Sequence, residues 1–537
     1  MASTAHVDTF ARDNLPPRSE WPELIFERPE LDYPEHLNCA TELLDRALER
    51  GWGARAALRT TETEVSYAQL LARANRIARV LTEDMGLVPG NRVLLRGANG
   101  PEMAACWFAV MKAGGIAVAT MPLLRAKELT EIAAKAEVTH ALCDRRLDAE
   151  LKAALPACPA LRTVSYWRDD APDALDALAA KKPGTFANAD TLAEDPALIA
   201  FTSGTTGKPK GTVHFHRDVI AMCDCFPRSC LLPTADDVFC GTPPLAFTFG
   251  LGGLLCFPMR FGASVVLVEK LTPELLLETI AKLRATICFT APTFYRQMAQ
   301  LARGRKPESL KKCVSAGEAL PDPTRQLFRE ATGIEIIDGI GSTEMIHIFI
   351  SHTPERVRRG ATGYAIPGYR AAVLDDEGRA CAPGATGRLA VKGPTGCRYL
   401  ADARQRDYVR DGWNITGDAY VRDGDGYFFY QARTDDMIIS AGYNIAGPEV
   451  EGVLLGHEAV AECGVVGVPD EDRGQVVKAY VVLKPGHDRS DASVKMLQDY
   501  VKSTIAPYKY PRRIEFVDAL PRTETGKLQR FKLRERA

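Results

Sequence analysis

Residues 201–211 read FTSGTTGKPKG. Gly204 and Gly207 permit close backbone approach and positive φ, Thr202, Ser203, Thr205 and Thr206 supply hydroxyls, and Lys208 and Lys210 supply charge. Together these describe a cradle for phosphate. The run is not a Walker A loop, which needs four residues between its glycines, a Ser or Thr after the lysine, and a helix beyond. Here only Thr205 and Thr206 separate the glycines, Pro209 follows Lys208, and GTVHF reads as a strand. Taken alone, the run also reads as a solvated turn.

Three further motifs change its meaning. In DGIGSTE, residues 338–344, the glycines let the backbone approach a flat ligand. Thr343 has a hydroxyl to donate to a phosphate oxygen, and Glu344 is a hard oxygen ligand of the kind Mg²⁺ takes. A helix N-cap at Ser342 or Thr343 suits the same residue types. NITGDAY brings Asp418 and ARTDDMI brings Arg433; a carboxylate that accepts from two ribose hydroxyls, held by a guanidinium, makes a nucleoside clamp. A surface hairpin ion pair is the plainer alternative. PRTETGKLQR places Lys527 after a glycine-containing turn near the C-terminus, where a lysine is ordinarily just solvated.

The elements that must position these groups follow from periodicity. Apolar residues at Leu70, Leu71, Ala74, Ile77, Val80 and Leu81 have the spacing of an amphipathic helix, started by a Ser66/Gln69 capping box and stopped at Gly86. Strand-like runs at 92–97, 116–120, 138–144, 161–167, 197–203, 285–290, 311–317 and 334–339 alternate with helical stretches such as 101–115. That rhythm predicts an α/β fold of mostly parallel sheets covered by helices on both faces. After about residue 360, Asp/Gly turns between short apolar runs predict hairpins and a β subdomain. Beyond Arg433 the chain reads β, α, β, β, α with a polar tail, long enough for a small α+β domain. The short charged junction ARTDDMI predicts a hinge rather than a loose tether.

A chain of 537 residues exceeds one hydrophobic core, so at least two domains are expected. A net charge of -2 gives no reason to expect a nucleic-acid or anionic-membrane partner. The N-terminus lacks a secretory pattern, and the most apolar window, 249–268, is broken by glycines, Pro258 and Arg260, so a cytoplasmic protein is expected. Fourteen scattered cysteines fit a reducing compartment. The cluster Cys223, Cys225, Cys230 with Cys240 departs from zinc spacing and is expected to supply core thiols.

The four motifs, in this order, resemble the acyl-adenylate-forming superfamily of acyl-CoA synthetases, nonribosomal peptide adenylation domains and luciferases, from about residue 40 onward. The resemblance implies ATP, Mg²⁺ and coenzyme A as reactants or cofactor, and an acyl-AMP intermediate with release of AMP and pyrophosphate. The 202–210 loop would hold the β- and γ-phosphates, Thr343 and Glu344 would serve the α-phosphate and Mg²⁺, and Asp418 and Arg433 the ribose. Gly317 and Glu318 of SAGEAL, with Asp338, Gly339 and Ile340, would lie beside adenine. Lys527 would be the adenylation lysine, with Asp435 as hinge between an N-terminal domain of residues 1–434, containing the β subdomain of about 360–434, and a mobile domain of 435–537. Rotation there would withdraw Lys527 and bring SAGYNIAGPEVE toward the thiol. Ile340 stands where an aromatic often stacks on adenine, leaving Tyr430 as a substitute, and Ala432 stands where glycine is common.

The same resemblance puts the acid between PPLAFTFGLGG and GSTEMIHIF. Phe247, Thr248, Phe249, Ala316, Gly317, Gly339, Gly341, Ile346 and His347 would wall a flat slot that suits an aromatic ring. GIGSTEMIHIF resembles benzoate-CoA ligases, and PPLAFTFGLGG resembles 2-aminobenzoate members. His347 or Thr248 would hydrogen-bond a ring substituent, unless His347 is a core histidine. The expected partners are therefore an aromatic acid, ATP and CoA, with the chain a monomer or homodimer. Alternatives on the same scaffold are another aryl or fatty acid, a carrier-protein thiol, oxidative luciferase chemistry, and non-catalytic binding of an acyl-adenylate.

Overall fold

The computed structural model describes residues 4–202, 209–302, 307–434, 436–440, 443–470, 473–523 and 527–536. Two large sheets dominate the N-terminal part. The first runs Thr163–Trp167, His140–Asp144, Arg92–Arg96, Ile116–Thr120, Pro196–Thr202, Lys210–Phe215, parallel except for the last strand. The second has nine strands centred on the parallel set Ile336–Gly341, Lys312–Ser315, Ile287–Thr290, Val238–Gly241 and Ser264–Val266. Val238–Gly241 and Ser264–Val266 are strands that the sequence reading passed over, because short apolar runs carry no periodicity of their own.

Side-chain alternation shows how the layers stack. Val93 and Leu95 join a core shared with Phe239, Ile287, Phe289 and Val314 of the second sheet, while Leu94 faces a different cluster with Val118 and Leu129. Cys240, Cys288 and Cys313 point to a third cluster on the far side of the second sheet. The period of two therefore sends alternate residues of each strand into separate layers. Helices Tyr67–Arg79, Pro101–Lys112 and His216–Phe226 lie between the sheets. Pro101–Lys112 is buried almost all round, as a sandwiched helix must be, and its buried Lys112 pairs with Asp45 at 2.6 Å. The Ser66/Gln69 capping box forms as expected. Outer helices Ala126–Lys135 and Asp148–Ala154 cover the first sheet, and Pro273–Leu283, Pro292–Leu301 and Asp322–Thr332 cover the second.

A third sheet, Arg370–Leu374, Thr386–Lys392, Trp413–Arg422 and Phe428–Arg433 with the short Val409–Arg410, is antiparallel throughout. The C-terminal part has its own sheet of Tyr443–Ile445, Ile438–Ser440, Gly474–Leu483, Val460–Asp470 and Arg513–Phe516, packed by helices Gly447–Leu455 and Asp491–Thr504. It differs from the expected polar tail in adding Arg513–Phe516 and a closing helix, Arg530–Glu535. Leu533, fully buried, anchors that helix against the sheet, a tertiary contact that a six-residue segment does not announce. All the clustered cysteines, Cys223, Cys225, Cys230 and Cys240, are buried, and among the described residues no group of three or more metal-ligating side chains is arranged for an ion. No helix among those residues is long and apolar enough to cross a membrane.

Candidate active site

The carboxyl ends of the parallel strands open on a cavity of about 3210 Å³ that extends to the C-terminal part. Ligands in open α/β sheets bind at such strand ends. Thr202, Thr242, Ala291 and Ala316, each at or just past a strand end, line it together with Asp338, Glu344, Asp418, Arg433 and Lys527. Groups separated by more than 300 residues thus share one space.

Thr202 pairs in register with Lys210, fixing both ends of the phosphate-loop candidate. Ser203, Gly204, Thr205, Thr206, Gly207 and Lys208 lie outside the described residues, as does the hinge candidate Asp435. The Thr202 hydroxyl is buried without a partner among the described residues. Lys210 donates to the Tyr399 hydroxyl at 2.9 Å, and that hydroxyl donates to Glu344 at 2.5 Å. Lys210 and Glu344 stand 3.7 Å apart. His214, on the same strand as Lys210, holds the Thr343 carbonyl at 2.8 Å through Nε2. Ser342 shares a hydrogen bond with Tyr408 at 3.3 Å. Tyr399, Tyr408 and His214 were absent from the sequence reading: an uncharged Tyr in CRYLAD gives no hint of a carboxylate 55 positions away.

Asp418 and Arg433 are cross-strand partners in the third sheet, 3.2 Å apart. Arg433 also donates to the Thr416 carbonyl at 3.1 Å. Gly417 sits at φ +77, and a Cβ there would lie 2.8 Å from the guanidinium. The left-handed backbone angle inside strand Trp413–Arg422 therefore favours glycine, and a side chain there would displace the guanidinium. Burial raises the Asp418 carboxyl and the guanidinium opposes it. Asp338 is pushed up to about 7 by burial, with Arg325 countering, and its Oδ1 has no partner among the described residues. Such an atom at a cavity wall accepts a ligand donor.

Lys527 reaches the cavity from a hairpin in which Arg522 bridges Leu528 and the Thr523 amide donates to the Lys527 carbonyl at 2.7 Å. Its Cε passes 3.5 Å from where a Cβ on Gly317 would be, and Gly317 has φ +91. Glu318 lines the same cavity. Its carboxylate also accepts the Leu528 amide at 3.2 Å and the Thr293 hydroxyl at 3.2 Å, with Arg522 3.6 Å away. Burial raises this carboxyl.

Phe247, Thr248, Phe249, Ala316, Gly317, Gly339, Ile340, Gly341 and His347 all line the cavity. Ile346 does not. The tight turn 342–347 gives Ile346 a φ of +63 and turns its side chain into the core, which delivers His347 to the wall instead. His347 is caged by Phe257, Phe249 and Phe226, with ring centroids 4.5, 5.6 and 5.9 Å away. Gly252 makes room for it: a Cβ there would meet the imidazole at 2.4 Å. Burial lowers His347 to about 3, against a small opposing effect of the Phe249 backbone, so the ring is neutral. Among the described residues neither ring nitrogen has a hydrogen-bond partner. The space beside Gly341 is likewise filled by the His347 backbone, 2.6 Å from a Cβ position, so packing here leaves room only for glycine.

Mg²⁺ fits one feature of this site. A single carboxylate, Glu344, stands in the space assigned to phosphates, and Mg²⁺ is ordinarily held by one or two carboxylates plus phosphate oxygens rather than by an all-protein cage.

Comparison with known proteins places the chain. The AMP-binding enzyme family model matches residues 44–399, and the AMP-binding enzyme C-terminal domain matches residues 449–527. The chain belongs to the AMP-binding enzyme family. Within it the chain is an acid–thiol ligase. It is 36% identical over 514 residues to a benzoate–CoA ligase of Thauera aromatica, covering 94% of this chain and 97% of that protein. The structure of the anthranilate CoA ligase AuaEII in complex with anthranoyl-AMP superposes with a TM-score of 0.90 at 33% identity, covering 95% of this chain and 99% of that one. A benzoate CoA ligase from Burkholderia xenovorans LB400 gives 0.85 at 32%, covering 93% and 100%.

Proposed function

We propose that the chain joins an aromatic carboxylic acid, 2-aminobenzoate or benzoate, to coenzyme A through an acyl-AMP, releasing AMP and pyrophosphate. The observation that carries this reading is Lys527, resting against Gly317 in the same cavity as Thr343, Glu344 and the Asp418–Arg433 pair. A carboxylate attacks ATP poorly because both are anions. The residues must therefore neutralise charge and align the attack on the α-phosphate. Asp418 accepts from the ribose hydroxyls while Arg433 holds it in place; Asp338 Oδ1 accepts from the base. Thr343, its carbonyl tethered by His214, presents its hydroxyl to the α-phosphate, and Lys527 bridges that phosphate and the acid. Glu344 would hold Mg²⁺, which when bound would supply further charge neutralisation on the phosphates. The second half-reaction brings the thiol to the acyl carbonyl after the C-terminal domain, residues 435–537, has turned about Asp435 and withdrawn Lys527.

Aromatic walls on one side and small residues on the other favour a planar acid. His347, neutral and with both nitrogens unpartnered, is available to a polar ring substituent. The likeness to a structure holding anthranoyl-AMP supports an amino substituent, and the benzoate ligases support the bare ring. A panel of substituted benzoates, with AMP, pyrophosphate and acyl-CoA quantified with and without CoA, tests the reading. ADP as product overturns the mechanism, and equal turnover of medium-chain fatty acids overturns the slot.

A further inference from the structure

Among the described residues, contacts of Glu318 and Arg296 join the N-terminal part to the C-terminal part that carries Lys527. Both come from one small surface. Helix Pro292–Leu301 supplies Thr293, which steadies Glu318 from behind at 3.2 Å, and, one turn on, Arg296. Glu318 takes the Leu528 amide, the residue next to Lys527, and faces Arg522 at the other side of the same hairpin. Arg296 crosses separately and donates to the carbonyls of Leu455 and Val460 at 3.1 and 3.5 Å. Leu455 ends helix Gly447–Leu455, so its carbonyl has no intrahelical partner, and a guanidinium there also complements the helix dipole.

We propose that Arg296 and Glu318 are positioning residues that dock the C-terminal part with Lys527 inside the cavity. The chemistry of the two contacts is complementary: an anion receives an amide from the lysine hairpin, and a cation receives carbonyls from a different element. Both are charge-assisted, so each outweighs a neutral hydrogen bond. Both break if the C-terminal part turns away, because Leu528, Leu455 and Val460, the partners of Glu318 and Arg296, belong to it. Interactions present in only one of two arrangements set the balance between them. Arg296 and Glu318 therefore favour the lysine-in arrangement over one competent for the thiol. The inference rests on the adenylation role given to Lys527 under Proposed function.

Arg296→Met, Glu318→Ala and Glu318→Gln are compared with the wild type in three measurements. The first is acyl-AMP formation without CoA, the second is thioester formation from supplied acyl-AMP and CoA, and the third is hydrogen exchange at the Leu528 amide in the substrate-free protein. Arg296→Met and Glu318→Ala each slow the first step about tenfold, as loss of a hydrogen bond to a charged group implies. Arg296→Met keeps the second step at or above the wild-type rate. Glu318→Gln, which retains an acceptor for Leu528, recovers part of the loss. In a Lys527→Ala background neither substitution slows adenylation further, since the dock has no lysine left to place. The decisive readout is exchange at Leu528 in Arg296→Met: Arg296 does not touch that amide, so faster exchange reports cooperative undocking. Unchanged exchange there, or equal losses in both half-reactions, overturns the proposal. The exchange measurement uses no substrate, so its result stands even if no aromatic acid is turned over.

Discussion

Tyr399→Phe tests the least expected part of the site. The phenol is 1% exposed and links two charges: it accepts from Lys210 at 2.9 Å and donates to Glu344 at 2.5 Å. The substitution keeps the ring, and with it the edge contact to Tyr408 at 5.8 Å and the Lys210 ammonium 4.9 Å from the ring centre. Only the oxygen goes. A hydrogen bond to a charged group contributes about 1.5 to 3 kcal/mol, and the hydroxyl makes two. Lys210, already 3.7 Å from Glu344, closes on the carboxylate and recovers part of the loss. The net is about 2 kcal/mol, about thirtyfold in rate if it falls on the adenylation transition state. Because Glu344 turns toward Lys210, the Mg²⁺ concentration for half-maximal adenylation rises as well. Acyl-AMP formation without CoA, measured across Mg²⁺ concentrations at saturating ATP, gives both quantities, and thermal melting checks the fold. Adenylation within twofold of wild type at every Mg²⁺ concentration refutes the bridge. A lowered melting temperature with equal loss in both half-reactions makes Tyr399 a packing residue only.

Lys527→Ala should cost about 10² to 10³ in adenylation, roughly 3 to 4 kcal/mol, while sparing thioester formation from supplied acyl-AMP; equal loss in both steps contradicts the division of labour. Gly417→Ala places a side chain at φ +77 and 2.8 Å from the Arg433 guanidinium, so about 1 to 2 kcal/mol of strain joins a displaced ribose clamp, read as a higher KM for ATP with a smaller change in kcat. Asp338 has a folded-state pKa of about 7, above its ordinary 3.8, so the folded chain holds a proton that the unfolded chain has released. The contribution of this group to stability is full below about pH 4 and is lost as pH rises to about 7, a few kcal/mol in all. Asp338→Asn should flatten that part of the urea-unfolding profile, and an unchanged pH slope counts against the burial argument.

The chemistry of the four motifs and the alternation of strands and helices were legible in the chain because they are local. The capping box at Ser66, the period of two that splits Val93 from Leu94, and the turn between Asp418 and Arg433 depend on neighbours a few positions apart. The partners of those groups were not. Tyr399 meets Glu344 only because strand Lys210–Phe215 is stitched to the segment around Arg398 and Leu400 by backbone hydrogen bonds, and a tyrosine carries no pattern that records such a meeting. Glu318 reads like a neighbour of the nucleotide, yet the arrival of a hairpin from the far end of the chain gives its carboxylate another amide to hold. Ile346 and His347 are adjacent, and one positive φ decides which of them faces the cavity. Residue type and spacing set what each group is able to do; which charges it meets, and which way it points, comes from long-range packing and from backbone angles that no single side chain encodes.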